Sequence, residues 1–193
     1  MTASTTPEVF KQTVSARGQM TATRYKELGL WHDITWDQYY ADAQNISAAL
    51  IDMGLEKGAS AAIIGDNCPQ WVKIDMGIQC AGGVSVGIYT TNAWQEVEYV
   101  VSDSEAVFLF AENEEQLDKW LNFRDAVPAL KKVIVWDTKG LREFSDPMVI
   151  SLDTLIKHGS TLSKTAVDRR MQSLGPADLC VLIYTSGTTG PPK

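Results

Sequence analysis

From about residue 59 the chain alternates short apolar runs with longer amphipathic stretches, and this alternation limits the fold more than any other feature. Residues 59–64, 84–89, 106–111 and 133–136 read as strands, and residues 69–81, 94–102 and 114–124 read as the helices around them. Strands that alternate with helices of this length build βαβ units and a parallel sheet. The runs are apolar throughout rather than at every second residue, which is the pattern of strands covered on both faces. The expected fold class is therefore α/β, a parallel sheet with helices on both faces.

The flanking segments are read in the same way. Thr35 is a good N-cap, Gln38 stands at the capping-box position and Gly54 suits the residue after a helix end. Between them Tyr39, Ala43, Ile46, Leu50 and Met53 fall on one helical face. Residues 31–35 suit a short edge strand. The Ser/Thr-rich residues 1–24 are weakly patterned and are expected to form a loose arm with a brief helical start at Pro7, leaving residues 25–193 as a partial domain. Residues 137–163 read as a connection with one short helix near 152–157, and residues 166–173 as a further helix. Residues 178–184 form an apolar strand that leads directly into the last residues of the sequence.

Charge and cysteine usage exclude several classes. With 17 basic and 24 acidic side chains the net charge is −7, which disfavours a nucleic-acid surface built on clustered Lys and Arg. Cys68, Cys80 and Cys180 are an odd number at wide spacing with no CxxC, so neither a disulfide framework nor a zinc site is expected. They read as buried free thiols. Residues 1–7 lack the apolar core of a signal peptide, and no apolar run approaches the ~20 residues of a membrane span. A cytoplasmic protein, with at most peripheral contact to a membrane, is expected.

Chemistry is concentrated after the last strand. Gly187 and Gly190 permit a tight turn whose amides converge on one anion. Thr185, Ser186, Thr188 and Thr189 place four hydroxyls around it, able to donate to phosphate oxygens or, at Thr188, to stand beside Mg²⁺. Lys193 adds a point charge suited to phosphate. Each charge-assisted bond contributes about 1.5–3 kcal/mol, so several together could hold a triphosphate tail. From Gly187 the spacing is G-x-x-G-x-x-K. This is not the G-x-x-x-x-G-K-[ST] of a Walker loop, and no G-x-G-x-x-G dinucleotide fingerprint is present.

The run LIYTSGTTGPPK, from Leu182 to Lys193, resembles the AMP-binding signature of the adenylate-forming superfamily: acyl-CoA synthetases, luciferases and peptide-synthetase adenylation domains. DNCPQW from Asp66, QCAGGVSVGIY from Gln79, ITW at Ile34 and SDSEA at Ser102 are similar to the N-terminal region of long-chain fatty acyl-CoA synthetases. The Ile88-Tyr89-Thr90 turn favours that branch. Gly87 departs from the family's usual proline, which would loosen a turn.

The resemblance implies that ATP and a carboxylate give an acyl-adenylate and pyrophosphate, and that coenzyme A then displaces AMP. It implies that Thr185, Ser186, Gly187, Thr188, Thr189, Gly190 and Lys193 hold the β- and γ-phosphates. The family's adenine-binding segment, its ribose-binding acid, its hinge and its catalytic lysine all follow this loop. The chain is therefore expected to be an N-terminal fragment, inactive alone and with no catalytic residue of its own. An uncovered sheet edge would favour self-association, and a loop anchored on one side would be mobile. A non-catalytic interaction module, a fatty acyl-AMP ligase and a luciferase-like enzyme remain as alternatives.

Other residues read as structural. His32 and His158 suit surface or edge positions, and Trp71, Trp94, Trp120 and Trp136 suit packing. Between Glu96 and Asp118 there are eight carboxylates and no Lys or Arg, the pattern of a solvated helix surface. Glu115 and Lys119 are spaced for an i,i+4 pair.

Overall fold

A computed structural model describes residues 4–185. Its elements in chain order are α1 (Thr6–Arg17), β1 (Thr21–Glu27), β2 (Leu30–Thr35), α2 (Trp36–Asp52), β3 (Ser60–Ile64), α3 (Pro69–Cys80), β4 (Val84–Ile88), α4 (Trp94–Asp103), β5 (Phe108–Ala111), α5 (Glu114–Leu121), β6 (Lys132–Val135), β7 (Val149–Ser151), α6 (Leu152–Ser160), α7 (Thr165–Gln172) and β8 (Val181–Ile183). Six strands form one sheet in the order β7-β6-β5-β3-β4-β8, with every pairing parallel. The expected class is the one observed.

Strand geometry explains the layers. Successive side chains point to opposite faces. Ala62, Ile64, Leu109 and Ala111 therefore meet Val97 and Val100 of α4 and Leu117 and Trp120 of α5. Ala61, Ile63, Phe108 and Phe110 face the other way, onto Ile46 and Leu50 of α2, Ile74 and Ile78 of α3 and Leu155 of α6. A further layer packs Phe10 of α1 and Val167 of α7 on the outer side of α2 and α3.

Helix α2 forms as its caps require. The Thr35 hydroxyl accepts from the Gln38 amide at 3.2 Å, and the Gln38 side chain accepts from the Thr35 amide at 2.9 Å. At the far end Gly54 takes φ +87°, and Leu55 N–H returns to the Leu50 carbonyl at 2.8 Å. A left-handed residue of this kind closes a helix by satisfying its last carbonyls.

Two expectations are corrected here. Residues 1–24 were expected as a loose arm, but among the described residues Thr5 caps a helix of 12 residues. Phe10 of this helix packs against Tyr39, the two rings tilted with centroids 4.7 Å apart. One anchoring aromatic, rather than a continuous apolar stripe, holds α1, and a short stripe is what the sequence lacks. Residues 137–163 also contain β7, a three-residue edge strand whose half-buried side chains carry little pattern.

The antiparallel hairpin β1–β2 stands outside the large sheet. Leu28 and Gly29 connect its strands with φ of +48° and +84°. Trp31 lies opposite Lys26, and His32 opposite Tyr25.

Helix α6 crosses α2 at Gly159, where an added Cβ would overlap the Asn45 backbone carbonyl. Backbone cannot yield as a side-chain tip can. Gly159→Ala is therefore expected to cost about 3 kcal/mol, read as a lower urea midpoint, against about 1 kcal/mol for loss of the α2 cap in Thr35→Ala.

Candidate functional site

Strand β8 lies in register beside β4, with Ser85 opposite Val181, Val86 opposite Leu182 and Gly87 opposite Ile183. The strands point the same way, so β3, β4 and β8 end at one edge of the sheet. A cavity of about 400 Å³ opens there, walled by Gly65 and Asp66 after β3, Trp71 and Asp75 of α3, Gly87 of β4 and Tyr184 after β8. In open α/β sheets ligands bind outside the carboxyl ends of the strands, where the strand order reverses. That reversal lies between β3 and β5, since the chain passes from β3 to β4 and then back across β3 to β5. A polar crevice there shares Asp66 and Thr90 with the cavity.

Hydrogen bonds tie the strand ends together. Thr90 Oγ1 donates to Asp66 Oδ1 at 3.0 Å. The Asp66 amide donates to Glu112 Oε2 at 2.8 Å. Lys119 Nζ donates to the Thr90 carbonyl at 2.6 Å. Lys119 is thus committed to the backbone after β4, and the expected pair with Glu115 is not among the described ion pairs. The crevice is lined by Asp66, Glu112 and Glu115 against this one cation. Such a surface repels phosphate.

The end of β8 is clamped from the α4 side. The Tyr184 phenol donates to Asp103 Oδ2 at 2.8 Å, and its ring stands edge-on to Tyr99 at 6.4 Å. Burial, with the Asp103 carboxylate beside it, raises the phenol to about 12, so it stays protonated at neutral pH. Thr185 follows directly and is exposed. Ser186, Gly187, Thr188, Thr189, Gly190 and Lys193, and the expected mobility of their loop, lie outside the described residues.

Gly87 requires a correction. It lies within β4, not in a turn, and pairs with Ile63 on one side and Ile183 on the other. An added Cβ would meet Trp71 Cζ2 at an ordinary 3.6 Å. Trp71, on α3, both packs against the core and walls the cavity. Asp66 and Glu112 were not singled out as site residues from sequence, although they stand two residues and one residue after apolar strands of a parallel sheet, which was the available signal.

The outer side of β8 is uncovered: Ile183 is 74% exposed and Val181 39%. The thiols also divide. Cys80 is buried and pushed up to about 12 by that burial, Cys68 is half-buried and raised for the same reason, and Cys180 is exposed, contrary to the expectation of three buried thiols. Among the described residues no group of three or more His, Cys, Asp or Glu is arranged to hold a metal.

The family model described as AMP-binding enzyme matches residues 10–193. The chain belongs to the AMP-binding enzyme family. The long-chain-fatty-acid–CoA ligase ACSBG2 of Xenopus laevis is 35% identical over 186 residues, which are 96% of this chain and 25% of that protein. The long-chain-fatty-acid–CoA ligase ACSBG1 of Rattus norvegicus is 32% identical over 189 residues, 98% of this chain and 26% of that protein. The chain thus spans about a quarter of the length of these relatives. The anthranilate CoA ligase AuaEII, solved in complex with anthranoyl-AMP, shares the fold with a TM-score of 0.77 at 24% identity, over 96% of this chain and 33% of that one.

In this member of the family, Gly87→Ala is expected to change stability by less than about 0.5 kcal/mol, since the new methyl makes only ordinary contact. It should shift Trp71 emission, and unfolding or an unchanged spectrum would contradict the placement of Gly87 against that ring. A thiol reagent at pH 8 is expected to modify Cys180 first, Cys68 slowly and Cys80 only after denaturation.

Proposed function

We propose that this chain is the N-terminal part of an AMP-forming long-chain-fatty-acid–CoA ligase and carries its phosphate-binding loop. The carrying observation is the register of β8 on β4, which brings Thr185 to the carboxyl edge of the sheet beside a cavity, with an acidic rim that leaves anion binding to the loop. The naming of the ACSBG relatives as long-chain-fatty-acid–CoA ligases supports the substrate class.

In the proposed reaction a carboxylate oxygen attacks the α-phosphorus of ATP, the bond to the β-phosphate oxygen breaks and pyrophosphate leaves. The sulfur of coenzyme A then attacks the acyl carbon and AMP departs. The work of this segment is electrostatic. Thr185, Ser186, Thr188 and Thr189 would donate to the β- and γ-phosphate oxygens, Gly187 and Gly190 would let backbone amides approach, and Lys193 would offset the charge that grows on pyrophosphate. Magnesium would arrive with the nucleotide. Thr188, proposed beside it, lies outside the described residues, and no step is routed through the ion. Tyr184, hydrogen-bonded to Asp103, anchors the end of β8 just before the loop.

The 193-residue chain, which spans about a quarter of the length of these relatives, is proposed to be inactive alone. ATP–pyrophosphate exchange measures this. No exchange is expected from the chain with ATP and oleate. Exchange should arise when the chain is continued by its downstream sequence, with oleate or palmitate preferred over acetate. Exchange by the chain alone would overturn the inactivity, and a preference for acetate or benzoate would overturn the substrate class. Acyl-AMP release without any coenzyme A-dependent thioester would favour an acyl-AMP ligase.

A further inference from the structure

The β1–β2 hairpin ends in three exposed apolar side chains that belong to none of the core clusters. Leu28 is 97% exposed, and Leu30 and Trp31 are each 66% exposed. All three lie at the turn, at the end of a two-stranded sheet that shares no hydrogen-bonded strand with the large one. Leu28 is doubly out of place. Both connecting residues have positive φ, and a connection of this kind favours Asn, Asp or Gly at its first position. A leucine there is disfavoured by its backbone and gains nothing from burial.

We propose that this tip is a membrane-surface wedge that enters the headgroup region of a zwitterionic phospholipid bilayer. Three features select lipid over protein. The tip is a point of three side chains, far short of the roughly 800 Å² per partner of a stable protein interface. Apolar projections of this shape are accommodated by a fluid medium that closes around them. Trp31 carries Lys26 Nζ over its ring at 5.9 Å, which sets an aromatic ring and a cation at headgroup depth behind Leu28. The hairpin charges balance: Arg24 is paired with Asp33 at 2.8 Å, and Lys26 is offset by Glu27 next to the turn. The chain as a whole carries −7, so it is repelled by anionic surfaces, while its neutral hairpin suits a zwitterionic one.

The wedge is independent of the proposed catalytic role and is tested without activity. The 193-residue chain should co-float with phosphatidylcholine vesicles, and added phosphatidylglycerol should not strengthen binding. Leu28→Asn, which suits the left-handed turn, should keep or raise the melting temperature while lowering vesicle partitioning about tenfold, the effect of withdrawing one buried leucine. Val9→Asn, on exposed α1, should bind as the parent does. Quenching by brominated lipid should fall in Trp31→Tyr, which separates Trp31 from the other five tryptophans. Unchanged partitioning of Leu28→Asn, unchanged quenching in Trp31→Tyr or no flotation would each overturn the wedge. If Leu28→Asn instead dissolves an oligomer seen by light scattering without lipid, the tip is a contact between copies and the wedge is again overturned.

Discussion

The structure depends on covering a parallel sheet on both sides. Ala61, Ala62, Ile63 and Ile64 of β3 and Phe108 through Ala111 of β5 are all fully buried. Because neighbouring residues face opposite ways, neither face can be left to water. That requirement places α4 and α5 on one side and α2, α3 and α6 on the other, and it stacks α1 and α7 beyond them. It also fixes where polar groups can go. Only the ends of these strands are free to carry them, and Asp66, Thr90 and Glu112 sit there.

The site follows from this division. Its scaffold is a set of strand ends joined by hydrogen bonds, one of them from Lys119, so their spacing is held before any ligand arrives. Its charge is negative, which separates two tasks. The described rim can shape a cavity and position a neutral or cationic group. The hydroxyls, amides and lysine proposed to hold a nucleotide's phosphates follow Tyr184.

How much was legible varied with the length and regularity of each signal. The capping pair Thr35 and Gln38, the helical spacing from Tyr39 to Leu50 and the left-handed Gly54 announced α2 almost to the residue. Strands β3 to β6 were visible as apolar runs because each is buried on both faces. Helix α1 was hidden because its attachment rests on Phe10 among polar neighbours, and β7 because three half-buried residues make no pattern. Gly87 was misplaced because its chemistry allows either turn or strand, and only pairing with Ile63 and Ile183 decides between them. The loop is read as phosphate chemistry from residue types alone, and all of it but Thr185 lies outside the described residues. The cavity at the strand ends was not legible, since Trp71, Gly87 and Tyr184 come from three elements that only the tertiary fold brings together.

One consequence lies in the path from β7 to β8. These strands occupy opposite edges of the sheet, and residues 152–180 travel the whole width between them through α6 and α7. Closing so long a connection has an entropic cost, offset by a three-residue pairing with β4 and the Tyr184 clamp on α4. Strand β8 should therefore be the last to dock as the chain folds and the first to detach by local opening. Amide exchange would then report a hierarchy in one sheet: slow at β3 and β5, faster at β8. The strand that leads into the cavity at the carboxyl edge is also the one that can leave the sheet without unfolding it.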